Sequence, residues 1–447
     1  MSRVRTSLRP AHPDVADDEL LREALQVGRM IIGRLSDMDL VATCIERALA
    51  TPGAHFGWSP SSLGAGYTGI ALSVVENLPA LGEEEAAEAR GAVMALLRMA
   101  VEDTAQHPVE RAGLHTGTAG LAFTLLRATT AEPRYAPTWR RAHDALLSQT
   151  DCLSPVRREE GTSFFEFDLI DGAAGVLLYL LAVGDDPATD AARRTVLDFL
   201  IWITAVAPDA VSLPRWYTPP GAYPGPQYHD AFPGGLLNLG LSHGLPGVVV
   251  ALSRAVGLGH RTDEVRGAVE RSVAWLERTR TDAGWDWAVG VGEDRLPVVK
   301  PNHGAMDAWC YGDAGVSLAL RHAGDALGSH ELARSAEAAF EASAERYLGA
   351  PSTLSPTVCH GDAGMALLTS FFADRGHPEA AGWARAATRR VLDKCDPSTA
   401  LGVQDKENGG ALVDDPTLLT GAAGVARTLL HVSATTRPGA LLPFLGE

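Results

Sequence analysis

Two cysteines and one histidine stand directly ahead of glycine turns in this chain: Cys310 in Trp309-Cys310-Tyr311-Gly312, and Cys359-His360 before Gly361. Two thiolates and an imidazole form a zinc donor set, and three protein ligands leave a fourth position free, as at a catalytic ion. Their spacing is not that of paired Cys-x-x-Cys ligands. The plain alternative is that both cysteines are small buried hydrophobes. His243, before Gly244, is open to three roles: a fourth ligand, a general acid or base, or a packed core histidine. Asp168 lies one helical turn ahead of Gly172 and could orient that histidine or a substrate group, or simply cap a turn. Asp313 and Asp362, each just after its glycine, read as first-turn partners of a helix dipole.

A repeat is what can bring these residues together. Gly-x-x-Gly turns begin at Gly66, Gly117, Gly172, Gly244, Gly312, Gly361 and Gly421, and each opens a nearly all-apolar helix. Equivalent positions of a repeat face one place in space. The two positions ahead of the first glycine hold His115, Asp171, His243, Cys310, Tyr311, Cys359 and His360. Between the turns run striped, charge-rich helical patterns at 83–102, 188–204, 262–279, 329–348 and 377–395, with more helix within 18–50.

A helix apolar on most sides belongs inside, and an amphipathic neighbour covers it. The expected fold is therefore all-α: an α/α toroid of seven inner and seven outer helices. Closure is favoured because the last helix, GVARTLLHV, is apolar where an open array needs a polar cap. In each turn the first glycine is expected to permit a tight bend with positive φ, and the second to let a neighbouring backbone approach. Helix N-termini aimed at one point would favour thiolate there.

Residues 1–18 read as a flexible leader and 19–447 as a single toroid domain. Loop insertions at 205–240 and 281–308 enter the site face, the second with a small hairpin. A net charge of -17 argues against a nucleic-acid or anionic-membrane surface. No stretch approaches the roughly 20 apolar residues that cross a bilayer. Five cysteines in 447 residues, with no secretory signal ahead of them, fit a reducing, cytoplasmic setting.

Trp309-Cys310-Tyr311-Gly312-Asp313-Ala314-Gly315 and Cys359-His360-Gly361-Asp362-Ala363-Gly364 together resemble the lanthionine synthetase C-like proteins, the lanthipeptide cyclases. Ser242-His243-Gly244-Leu245-x-Gly247 and Asp168-Leu169-Ile170-x-Gly172-x-x-Gly175 match as well, and the resemblance runs from about residue 20 to the end. It implies a Zn2+ ion on Cys310, Cys359 and His360, an acid/base pair in His243 and Asp168, and a site lined by Trp309 and Tyr311. His115 and His303 join the substrate-lining candidates.

The implied reaction is addition of a precursor-peptide cysteine thiol to dehydroalanine or dehydrobutyrine, forming a thioether ring. Met306 stands where members of the family often carry an arginine, so that role is either vacant here or taken by another residue such as His303. About 65 residues precede the first turn, too few for a fused dehydratase, so the expectation is a stand-alone cyclase. The expected partners are a dehydrated precursor peptide, a separate dehydratase and an export transporter. The alternatives are a glutathione-binding or regulatory zinc relative that makes no rings, a prenyltransferase β-subunit and a toroidal glycosidase. The last would need paired carboxylates across a cleft.

Overall fold

The computed structural model describes residues 13–54, 56–151, 161–205, 213–299, 307–350, 355–405, 410–433 and 442–446. Helices α1 (Pro13–Leu35) and α2 (Met38–Ala50) precede the first turn. The inner α3 (Tyr67–Asn77) is followed by the outer α4 (Glu83–Gln106), and α5 (Thr118–Ala131) by α6 (Ala136–Thr150). A single turn, α7 (Phe164–Phe167), leads into α8 (Ala173–Ala182) and its cover α9 (Pro187–Ile203). After the short α10 (Gln227–Ala231) come α11 (Leu245–Gly257) and α12 (Thr262–Thr279). The pairs α13 (Asp313–Leu327) with α14 (His330–Gly349) and α15 (Asp362–Asp374) with α16 (Ala380–Leu392) follow. The innermost layer ends with α17 (Ala422–Val432), and α18 (Leu442–Leu445) comes last. Among the described residues seven inner helices alternate with seven outer ones, α1 covering α17, so the fold is an α/α toroid. The first helix begins at Pro13, inside the stretch read as a leader.

Backbone hydrogen bonds show how the ring closes. Gly64 N–H donates to the His115 carbonyl at 2.8 Å, and His115 N–H to Ile170 at 2.9 Å. Leu169 N–H donates to Ser242 at 3.1 Å, Ser242 to Cys310 at 3.2 Å, and Cys310 to Cys359 at 3.1 Å. Cys359 then donates to Leu419 at 2.9 Å, and Leu419 back to Gly64 at 3.0 Å. This belt satisfies backbone groups that the buried turns would otherwise strand. It places the residues just ahead of all seven glycine turns at one end of the ring.

The second glycine of each turn seats the ring. A methyl group at Gly364 would lie 2.1 Å from the Val358 carbonyl oxygen and 3.0 Å from Trp309 Cβ of the preceding repeat. The same clash recurs at Gly120 with Leu63 and at Gly247 with Leu169. The first glycines differ from expectation: only Gly312 has positive φ, at 82°, while the other six are extended. Those six are glycine because a side chain would strike backbone, as at Gly66, 2.0 Å from the Ser59 carbonyl oxygen. Gly364→Ala is therefore expected to destabilise the fold by about 1–3 kcal/mol, the usual cost of overpacking, in denaturant titration.

The outer helices carry ordinary start signals. Asp186 caps α9 by accepting from Ala188 and Thr189 N–H at 3.0 and 3.1 Å, with Pro187 at the first position. The two loop insertions build one sheet. β1 (Leu236–Asn238) from the first loop pairs antiparallel with β2 (Ala288–Val291) from the second, and β2 with β3 (Pro297–Val298). The expected hairpin is β2–β3; its third strand comes from the other loop. Among the described residues no helix is long and apolar enough to cross a membrane.

Candidate metal and acid/base site

Cys310, Cys359 and His360 present two Sγ atoms and an imidazole nitrogen, all within 4.8 Å of one another. They sit on adjacent repeats, and the belt bond from Cys310 N–H to the Cys359 carbonyl holds the two turns together. Cys310 is buried and Cys359 partly so. The neighbouring Cys310 and burial push the Cys359 thiol well above its usual range, while His360 opposes the shift. A divalent cation is the species that allows two such sulfurs to ionise side by side. Soft sulfur with imidazole nitrogen, three donors in all, fits zinc with one position left for an incoming ligand.

A second cluster lies one repeat away. His243 Nδ1 is 2.6 Å from Asp168 Oδ2, and Asp168 is fully buried while the His243 side chain keeps 27% exposure. The other carboxylate oxygen of Asp168 accepts N–H bonds from Asp171 at 2.7 Å and Gly172 at 2.8 Å, which fixes its direction. Burial works against a charge on His243, but the hydrogen bond and charge of Asp168, with Asp171 beyond, outweigh it and raise the imidazole pKa. Asp171 also falls within this cluster, where it accepts from Arg111 at 2.9 Å and Thr116 at 2.6 Å. Phe164 and Phe165 flank the imidazole, with ring centroids 5.8 and 5.4 Å away. Ser242, the residue before His243, donates N–H and Oγ–H bonds to the Cys310 carbonyl, which makes the two clusters neighbours.

A cleft of about 610 Å³ opens beside this pair, walled by Arg111, Phe165, Glu166, Asp171 and Tyr223. It lies where the first loop insertion meets the turn of α8. Tyr311 packs edge-on to Trp287 at 6.3 Å, and Trp287 also meets Phe232 at 5.0 Å, so the sheet roofs one side of the site.

Trp309 and His115, expected to line the site, have no exposed surface. They hold the segment 442–446 inside the ring. His115 Nε2 bonds the Pro443 carbonyl at 3.1 Å, Trp309 Nε1 donates to Phe444 at 2.7 Å, and His322 Nε2 bonds Leu445 at 2.8 Å. Burial pushes the His115 pKa down to about 4, so it sits there neutral. A signal for Trp309 was in the sequence. The position three before each first glycine holds Leu63, Leu114, Leu169, Leu241, Trp309, Val358 and Leu418, an apolar column throughout and buried in the fold. His303 and Met306 lie outside the described residues. Asp313 and Asp362 tie inner helices to outer ones: Asp313 accepts from Arg346 at 2.7 Å and Asp362 from Tyr347 at 2.6 Å. These contacts add to the first-turn position that both aspartates hold.

Comparison with known proteins agrees with this geometry. "Nisin biosynthesis protein NisC" of Lactococcus lactis subsp. lactis is 27% identical over 268 residues, which cover 58% of this chain and 62% of that protein. The match thus spans less than two thirds of the relative's length. A solved structure titled "Nisin cyclase" has the same fold, with a TM-score of 0.73 at 19% identity, covering 91% of this chain and 96% of that one. The profile of the lanthionine synthetase C-like protein family matches residues 57–442, through all seven glycine turns and both clusters. With that span matched, the chain belongs to the lanthionine synthetase C-like family.

Proposed function

We propose that this chain is a lanthipeptide cyclase, closing thioether rings by adding a peptide cysteine thiol across the double bond of dehydroalanine or dehydrobutyrine. The observation that carries this reading is the pairing of a three-donor Cys/Cys/His cluster with a His–Asp pair one repeat away. Cys310, Cys359 and His360 would hold zinc, whose Lewis acidity keeps an incoming thiol deprotonated at neutral pH, where a free thiol near pKa 8.5 is mostly protonated. The thiol proton leaves to solvent, the thiolate sulfur bonds to the β-carbon, the π pair moves toward the α-carbon and its carbonyl, and the α-carbon then takes a proton.

His243 is the donor of that proton. Asp168 keeps it loaded by raising its pKa and aims it through the Nδ1 contact, leaving Nε2 to face the substrate. Phe164 and Phe165 limit its rotation. The substrate must arrive already dehydrated, so dehydration of peptide serine or threonine is the reaction that supplies it. A cytoplasmic setting and contacts with a dehydratase and exporter belong to the same proposal.

The deciding experiment is reconstitution with a dehydrated precursor peptide, reading ring formation by loss of alkylatable thiol and by tandem mass spectrometry. Rings formed only by zinc-loaded protein support the reading. Zinc binding with no ring formation would turn it toward a non-cyclising relative.

Trp309 also bears on this function, because it precedes Cys310 and its indole N–H anchors Phe444. Trp309→Phe keeps the ring and removes the donor, leaving a buried carbonyl unmet. We expect zinc affinity to fall about 10-fold, as for other supports behind a ligand, with a stability loss of about 1–3 kcal/mol. Chelator competition and denaturant melts measure the two separately.

A further inference from the structure

The lumen of the ring holds a charge that neither cluster uses. Counting six residues on from the first glycine of each turn gives Leu72, Phe123, Leu178, Val250, Leu318 and Leu367, and in the seventh repeat Arg427. All seven are essentially without exposed surface. Leu178 and Val250 lie against Gly446, so this column faces the lumen into which segment 442–446 descends. Arg427 is thus a lone guanidinium in an apolar girdle.

No described residue accepts a hydrogen bond from its Nε, Nη1 or Nη2. The nearby buried carboxylate, Glu76, is already taken by Arg127, which grips it through Nε at 2.5 Å and Nη2 at 3.1 Å. Those two charges cancel, and the trio keeps a net charge of +1, with Arg427 itself fully buried. Burial lowers the Arg427 pKa only to about 10, with Glu76 opposing the shift and Arg127 adding to it, so the group stays charged at neutral pH. A buried guanidinium with no counter-charge is strongly unfavourable, whereas one meeting an anion in a fork geometry is not.

We propose that Arg427 is an anion-binding site in the lumen of the ring, taking one singly charged group of the carboxylate or small inorganic anion class. The source is a free anion from solution, and capture by a carboxylate of the chain itself is an outcome that the test distinguishes. The site is independent of the metal and of the cyclase reading, and its test involves neither.

Crystals of the full chain soaked in sodium bromide, with data collected at the bromine edge, test it directly. A bromine peak on the guanidinium assigns a free anion. A Glu447 carboxylate there instead assigns the source to the chain, and Glu447→Gln should then admit bromide at the same place. A guanidinium bonded only to water or to neutral protein groups overturns the proposal. Thermal melts at constant ionic strength add a solution readout. Bromide should raise the melting temperature of the protein whose site is open, wild type or Glu447→Gln, and Arg427→Met should lose that shift. An equal shift in Arg427→Met also overturns the proposal.

Discussion

Cys359→Ala purifies as a folded protein that no longer retains zinc and no longer closes rings: that is the largest effect expected here. The sulfur is one of three donors within 4.8 Å of one another, and two donors cannot replace it. Loss of a group merely supporting a ligand costs about 10- to 100-fold in metal affinity, so loss of a ligand itself should exceed that range. Ring formation should fall with it by at least about 10²- to 10³-fold, the scale of a lost electrostatic contact at a reacting centre. Fold should survive, because the belt bonds of Cys359 run through its backbone N–H and carbonyl, which alanine keeps. Cys395→Ala is the matched control: its thiol bonds the Val391 carbonyl within the same segment, and zinc content should not change. Metal analysis together with circular dichroism decides the outcome. A metal-free Cys359→Ala with full activity would end the proposed mechanism.

His243→Ala should separate the two clusters. It should keep zinc, since its contacts are to Asp168 and the flanking phenylalanines, yet lose about 10²- to 10⁴-fold in ring formation, the range for a general acid. Acidity gives the finer test. A raised imidazole pKa means that His243 holds its proton above the free value of 6.5, and that activity falls as pH rises through the raised value. Asp168→Asn removes the partner that raises it. The amide still accepts from the Asp171 and Gly172 N–H groups through its oxygen, but offers His243 Nδ1 a donor where a carboxylate stood. The basic limb of the pH–rate profile should therefore move to lower pH, and activity at neutral pH should drop, with zinc content unchanged. An unmoved limb would remove Asp168 from the proton chemistry.

Much of the architecture is legible in the sequence, and the repeat is the reason. A recurring Gly-x-x-Gly ahead of an apolar helix marks equivalent positions without saying where they lie. Once seven helices share an inner layer, those positions must share one end of it. The same register drew Cys310, Cys359, His360 and His243 toward one place, while the pairing of His243 with Asp168 came from the family resemblance. The apolar last helix, for its part, pointed to a closed ring.

What the repeat could not express is direction. Trp309 turns inward to bond Phe444, although Cys310 beside it joins Cys359 and His360. Reading each motif as a block hid that difference; comparing columns across repeats exposes it.

Contacts between distant segments were hidden for a different reason. His115 meets Pro443 across 328 positions and Trp309 meets Phe444 across 135, and the short apolar run there carries no periodicity to announce a buried role. The three-stranded sheet draws on two separate loops, since strand pairing depends on which edges the ring brings alongside each other. The sequence by itself determined the helical layers, the register and the donor types. Only the tertiary structure decided which donors face one another, because that depends on closing the chain on itself, a long-range event that no local pattern encodes.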